Sequence, residues 1–421
     1  MKKITLLALA CSLLLAATSS ASQKRKVLLI NLDGVRSDAL QLANTPNLDA
    51  LIATGFYTYD SWCLGITVSG PSWSTIFTGV WYQKHGVTDN SYAGSNYNQY
   101  PYFPTRAKEI NPNIYAAQIV DWAPMSVQVY NDDYNQKIIR PSGNSASITA
   151  AAQVQLQNPN IDVLSVYYNK CDAAGHGSGF SPSNAAYIAA IEETDGHVGQ
   201  VVTAVRNRPD YANEDWLILV ITDHGGLGTS HGGNSDEERQ IWWIGSGKNV
   251  VSKQVFADDP GSYRMNNNPL DTAKLKFAPT QADIAVTALH HLVYNEGIRP
   301  DNKTISPGSN WNLDGKSWLD SLISETPPEE PTSVGNQTNE KLDIKVYPNP
   351  SKGLTTLWFD PKNQQVQYTV TDVAGKMIVH NQDAGKGHKF TIDLRAYPEG
   401  IYYMKVSAGT RSSTQKIVYS K

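Results

Sequence analysis

Three short runs decide the architecture: Val27–Leu32 (VLLINL), Val163–Tyr168 (VLSVYY) and Trp216–Ile221 (WLILVI). Each is apolar and of strand length, and longer helix-compatible segments separate them. This alternation predicts an α/β domain on a largely parallel sheet with helices on both faces. Each run also leads to an acid. The first ends at Asp33, the second runs toward Asp172, and the third stops just before Asp223. Because open α/β sheets bind ligands beyond the carboxyl ends of their strands, these three carboxylates are expected to line one crevice. Ala185–Val205 and Thr280–Leu292 carry apolar residues at helical spacing and are assigned as sheet-covering helices.

Working outward, the chain divides into four parts. Residues 1–21 read as a secretory signal: Lys2 and Lys3, an apolar run from Ile4 to Ala17, then Ser19, Ser20 and Ala21. Residues 22–324 form the α/β domain. Residues 325–340 (ETPPEEPTSVGNQTNE), rich in Pro, Glu, Thr, Asn and Gln, cannot bury enough apolar surface to fold and are expected to be an extended linker. Residues 341–421 show alternating strand patterns such as KLDIKVYP, TTLWF, QYTVTDV and IYYMKV, which predict a small all-β sandwich.

The charge balance is 35 Lys plus Arg against 39 Asp plus Glu, without like-charge blocks, so a nucleic acid duplex is not an expected partner. Beyond the first segment no apolar stretch is long enough to span a bilayer. Cys63 and Cys171 then remain, either paired in an oxidising compartment or present as buried thiols.

Four motifs gather acids and imidazoles: Asp33-Gly34; Asp172 and His176 in DAAGH; Asp223-His224 in TDHGG; and His231 in SHGG. Mixed carboxylate oxygen and imidazole nitrogen suits zinc better than calcium or magnesium. Taken singly, Asp-Gly is an ordinary turn and an Asp-His pair an ordinary surface feature; the shared strand-end location distinguishes them. Ser69, in TVSGPSWSTIFTG, precedes a helix expected to start near Ser72 or Trp73. A hydroxyl at a helix N-terminus meets free N–H groups that favour an anionic oxygen or a phosphate, although a capping serine gives the same local sequence.

In order, NLDGVRSDAL, SGPSWSTIFTG, HGVTDN, DAAGHGSG, TDHGG and SHGG resemble the nucleotide pyrophosphatase/phosphodiesterase branch of the alkaline phosphatase superfamily, over about Lys26 to Leu292. The resemblance implies an alkaline-phosphatase-like fold and two zinc ions, or another divalent metal in their place. One metal would be held by Asp33, Ser69, Asp223 and His224, the other by Asp172, His176 and His231. It further implies that Ser69 attacks a phosphate ester to give a covalent phosphoseryl enzyme, with Asn90 donating to a non-bridging phosphate oxygen. Two cations so placed would activate the serine oxygen and stabilise the leaving oxygen. The expected substrate is a small-molecule, glycan or lipid phosphate ester. Trp73 is the candidate for stacking on a base or leaving group, and the Tyr- and Asn-rich segments Ser91–Pro104 and Asp121–Arg140 are candidate pocket walls.

The Ser69 window also resembles the sulfatase signature, in which a Ser at this place is converted to formylglycine; here Trp73 stands where that signature has Arg. A binding or adhesin protein without activity is the third reading. Among the remaining residues, Asp236, Glu237 and Glu238 are expected in a solvated turn, His85 to orient the loop carrying Asn90, and His290 or His291 to pack against the sheet. The tail, with VYPNPSKG, YPEGIYYMKV and KIVYSK, resembles the type A sorting domain of the type IX secretion system. That resemblance implies contact with the secretion machinery through residues 341–421 and passage via the periplasm to the cell surface or medium.

Overall fold

A computed structural model describes residues 23–127, 133–300, 311–323, 344–359, 366–372, 377–381, 389–408 and 411–420. The expected signal (1–21) and linker (325–340) lie outside them. The central sheet has eight strands: β1 (Lys24–Leu32), β2 (Phe56–Trp62), β3 (Tyr115–Val120), β4 (Gln136–Ile139), β5 (Ile161–Tyr168), β6 (Glu214–Thr222), β7 (Gln240–Ser246) and β8 (Lys253–Val255). Their order is β4-β3-β5-β1-β6-β7-β2-β8. Only β7 runs antiparallel to its neighbours β6 and β2.

The three runs that define the fold sit side by side at the centre of the sheet, which is why they read as continuously apolar. Alternation within each divides the core between two faces. Val27 and Leu29 of β1, with Leu217, Leu219 and Ile221 of β6, pack under the Ser69–Thr78 and Asp283–Val293 helices. Leu28, Ile30, Leu32, Trp216, Ile218 and Val220 face the opposite layer with the Ser145–Leu156 and Ala185–Arg206 helices. Helices therefore cover both faces. The register then fixes the site: Leu32 pairs with Tyr168 on one side and Thr222 on the other, so Asp33 and Asp223, each one residue further, emerge level.

The C-terminal strands are β9 (Ile344–Tyr347), β10 (Leu354–Phe359), β11 (Val366–Asp372), β12 (Met377–Asn381), β13 (Lys389–Asp393), β14 (Gly400–Ala408) and β15 (Arg411–Tyr419). They form antiparallel sheets β13-β10-β9 and β12-β11-β14-β15. Leu357 and Ile392 from one and Val370, Met404, Val406 and Ile417 from the other share a single core. Cys63 and Cys171 are both free and buried. No helix among the described residues is long and apolar enough to cross a membrane.

Candidate metal centre and nucleophile

The β1 strand delivers Asp33 into full burial, where its two oxygens are treated differently. Oδ2 accepts from the Trp73 indole N–H at 3.1 Å and from the Tyr167 hydroxyl; Oδ1 has no hydrogen-bond partner. Asp223, at the end of β6, repeats the pattern: Oδ1 accepts from the Gly34 N–H at 3.0 Å, and Oδ2 has none. Asp172, on the Lys170–Ser178 helix after β5, likewise leaves Oδ1 without a partner. An unpaired buried carboxylate oxygen is costly, and three pointing into one space require compensation by positive charge.

The imidazoles are oriented to the same end. His224 Nδ1 lies 2.8 Å from the Gly225 carbonyl, His231 Nδ1 2.9 Å from the Thr67 carbonyl, and His176 Nδ1 2.9 Å from the Thr229 carbonyl. A carbonyl only accepts, so each Nδ1 carries the proton and each Nε2 presents a lone pair. Those lone pairs converge. His224 Nε2 is 3.2 Å from Asp223 Oδ2 and 3.7 Å from Asp33 Oδ1; His231 Nε2 is 3.6 Å from Asp172 Oδ1 and 3.1 Å from His176 Nε2. Burial pushes the imidazoles of His224 and His231 down to about 4, which keeps them neutral, and pushes the Asp172 carboxyl up to about 9, with further upward pressure from Asp33. Facing lone pairs and stranded carboxylate oxygens describe a cradle whose natural occupant is cationic, and the nitrogen-plus-oxygen donor set fits zinc.

Two clusters emerge, Asp33 with Asp223 and His224, and Asp172 with His231, the latter also within reach of His224. His176 joins the second cluster through its 3.5 Å approach to Asp172 Oδ2. All six expected Asp and His ligands are thus brought together.

Ser69 completes the cradle, with Oγ 3.4 Å from His224 Nε2. The helix starts at Ser69 itself rather than at Ser72 or Trp73, because extended Val68 is the N-cap and Pro71 is tolerated in the first turn, where its missing N–H costs nothing. The Ser69 hydroxyl is paired with His224, and the Ser72 hydroxyl donates to the Ile66 carbonyl at 2.9 Å. Asn90 Oδ1 accepts the Gly70 N–H at 2.7 Å, so the amide NH₂ is the end left for a ligand. A side chain on Gly70 would meet the Asp89 carbonyl at 2.6 Å, so only glycine lets this loop close on the serine. His85 holds the same loop as expected: Nδ1 accepts from the Val87 N–H at 3.1 Å, and Nε2 donates to Thr75 Oγ1 at 3.0 Å.

Other expectations are corrected. Trp73 is fully buried, in edge contact with Tyr167 and bonded to Asp33; with no face open to a ligand, it supports a carboxylate rather than stacking on substrate. The tyrosines of the Ser91–Pro104 segment, Tyr92, Tyr97, Tyr100 and Tyr102, pack in the core instead of lining a wall. Of the SDEER residues, Asp236 and Glu237 are exposed as expected, but Glu238 is buried, closes a capping box with Ser235 and accepts the Gly233 N–H, clamping the loop that carries His231. As expected, the His290/His291 pair packs inward: both are buried, and His291 reaches the Asp215 carbonyl of β6. Tyr167 went unnoticed in the sequence, although its alternate position at the end of β5 was the available signal. Gly34 of the Asp33-Gly34 motif has φ +66°, and an added Cβ there would lie 2.8 Å from Asp172.

The chain is similar to known proteins in both of its domains. The C-terminal residues 345–420 match the secretion system C-terminal sorting domain. Bis(5'-adenosyl)-triphosphatase ENPP4 of Bos taurus is 24% identical over 230 residues, covering 49% of this chain and 49% of that protein. Ectonucleotide pyrophosphatase/phosphodiesterase family member 3 of Mus musculus is 26% identical over 221 residues, covering 47% of this chain and 24% of that one. The chain thus spans half or less of the length of these relatives. Among solved structures, a putative sulfatase from Bacteroides thetaiotaomicron superposes with TM-score 0.53 at 13% identity, covering 93% of this chain and 85% of that one. Murine ectonucleotide pyrophosphatase/phosphodiesterase 5, an inactive variant with AMP, superposes with TM-score 0.51 at 14% identity, covering 71% and 100%. These two show a shared fold. The model of type I phosphodiesterase / nucleotide pyrophosphatase matches residues 27–128 and 120–241, over half the chain and every residue of the cradle, so the chain belongs to that family.

Proposed function

We propose that the protein is a secreted zinc-dependent hydrolase of phosphodiesters that acts through a covalent intermediate on Ser69. The observation that carries the reading is the set of orphaned oxygens, Asp33 Oδ1, Asp172 Oδ1 and Asp223 Oδ2, facing three Nε2 lone pairs beside a serine hydroxyl. Asp33, Asp223, His224 and Ser69 would hold one cation, and Asp172, His176 and His231 the other. Bound there, the pair supplies Lewis acidity at the attacking and leaving oxygens.

The chain's own groups perform the rest. Ser69 Oγ, its proton passed to solvent, forms the bond to phosphorus as the ester P–O bond breaks, and the leaving oxygen takes a proton from solvent to depart as the alcohol; water then cleaves the phosphoserine and returns a proton to Ser69 Oγ. The Asn90 amide, aimed by its bond to Gly70, donates to a non-bridging oxygen as charge develops there. Trp73 and Tyr167 hold Asp33 so that one oxygen stays turned inward. Diesters are preferred over monoesters in this reading because the family is one of phosphodiesterases. The sorting domain supports export by the type IX route, with an N-terminal signal for the first membrane. The sulfatase reading, with Ser69 as formylglycine, lacks its Arg, since position 73 is a buried tryptophan engaged with Asp33.

The test is metal analysis of the purified protein, with turnover of a phosphodiester, a phosphomonoester and a sulfate ester. Expected are about two zinc ions per chain, highest turnover on the diester, and loss of turnover to background in Ser69→Ala with the fold retained. Full activity in that variant, or sulfate as the best substrate, overturns the reading.

A further inference from the structure

The sorting domain is joined through residues expected to form an extended linker, yet its three-stranded sheet is seated on the hydrolase domain. Trp358 of β10 is 1% exposed and belongs to the hydrolase core rather than to the sandwich core, with its ring 4.5 Å from that of Tyr59. On β9, the Tyr347 hydroxyl donates to Gln240 Oε1 at 3.1 Å, and Lys345 pairs with Asp60 while its ammonium lies 4.7 Å over the Phe256 ring. Asp60 is 4% exposed, and its other oxygen accepts from the Gln240 amide at 3.1 Å. A buried carboxylate whose cation comes from another domain is an expensive arrangement unless the two surfaces meet regularly.

We propose that Trp358, Lys345 and Tyr347 dock the sorting domain onto a specific acceptor surface of the hydrolase, formed by Tyr59, Asp60 and Gln240. The occupant is this chain's own C-terminal domain. Aromatic burial supplies the affinity, and the Asp60–Lys345 pair sets the orientation. Covalent tethering makes the contact intramolecular, so a small interface stays closed. The acceptor surface also lies next to the site: Gln240 directly follows Glu238 and Arg239, and Glu238 clamps Gly233 on the His231 loop. Loss of the sorting domain therefore uncovers an aromatic patch and an unpaired carboxylate on the hydrolase, and loosens the segment that supports His231. None of this depends on the reaction catalysed.

The test is hydrogen exchange on the full-length protein and on full-length Trp358→Ala, Lys345→Met, Asp60→Asn and Asp60→Asn/Lys345→Met. Trp358→Ala is expected to raise exchange over Phe56–Trp62 and Asp236–Gln240 by on the order of tenfold, while the sandwich strands β14 and β15 keep their protection. Lys345→Met should do the same more strongly than Asp60→Asn, with the double variant recovering most of the loss, because the damage comes from a stranded buried charge. A control at the exposed Tyr403 should change nothing over these segments. Unchanged exchange there in both Trp358→Ala and Lys345→Met, or additive effects of Asp60→Asn and Lys345→Met, overturns the proposal.

Discussion

The two halves of the cradle are built to different standards. Asp33, Asp223 and His224 are fully buried and leave adjacent central strands whose register sets them level. Asp172, His176 and His231 hang from a helix and a loop, and the His176 side chain is 45% exposed. Sheet register positions the first set with no freedom left, whereas the second set depends on local clamps: Glu238 on Gly233, Thr67 on the same glycine, and Gly34 leaving room for Asp172. A rigid half that keeps the proposed nucleophile and an open half that faces solvent suit a reaction in which one partner stays and the other departs.

The sharpest way to break the comparison is to remove a ligand from each half. His224→Ala is expected to abolish turnover and lower the affinity for both cations, because His224 borders both clusters. His176→Ala should retain about one cation per chain, with residual turnover; metal analysis after dialysis distinguishes the two, and equal losses would erase the distinction. A milder test keeps every ligand. Tyr167→Phe removes one of the two donors to Asp33 Oδ2, and zinc affinity measured by equilibrium dialysis is expected to fall by roughly tenfold to a hundredfold. An unchanged affinity would mean that Trp73 alone fixes the carboxylate.

The smallest expected effect concerns the loop of Asn90. Burial pushes the His85 imidazole down to about 3 from its ordinary 6.5. On acidification the unfolded chain takes up this proton before the folded one does. The stability contributed by neutral His85 is therefore intact above pH 6.5 and is lost as the pH falls toward 3. Melting temperatures of wild type and His85→Gln across this range should converge by on the order of a few degrees; parallel curves would show that His85 is protonated in the fold.

Legibility in the sequence followed the same division. The β1, β5 and β6 runs are apolar on both faces, so their strand character and the position of their terminal acids could be read directly. All six candidate Asp and His ligands were therefore visible in order along the chain. Helix onset at Ser69 was not, because Ser-Gly-Pro-Ser offers competing caps and only tertiary contact with Asn90 selects among them. The inward turn of Trp73 was not legible, because a large aromatic near a candidate nucleophile looks the same in sequence whether its indole points outward or donates inward to Asp33. The seating of Trp358 on Tyr59 was beyond reach, since alternation says which strand positions share a face but not what covers that face.

The backbone carbonyls of Thr67, Gly225 and Thr229 set the tautomer of all three histidines. Any amino acid supplies a carbonyl, so at exposed Thr229 the instruction is written in the main chain and survives exchange of the residue itself. A chemical requirement shared by distant members of such a fold can thus persist at positions where their letters no longer agree.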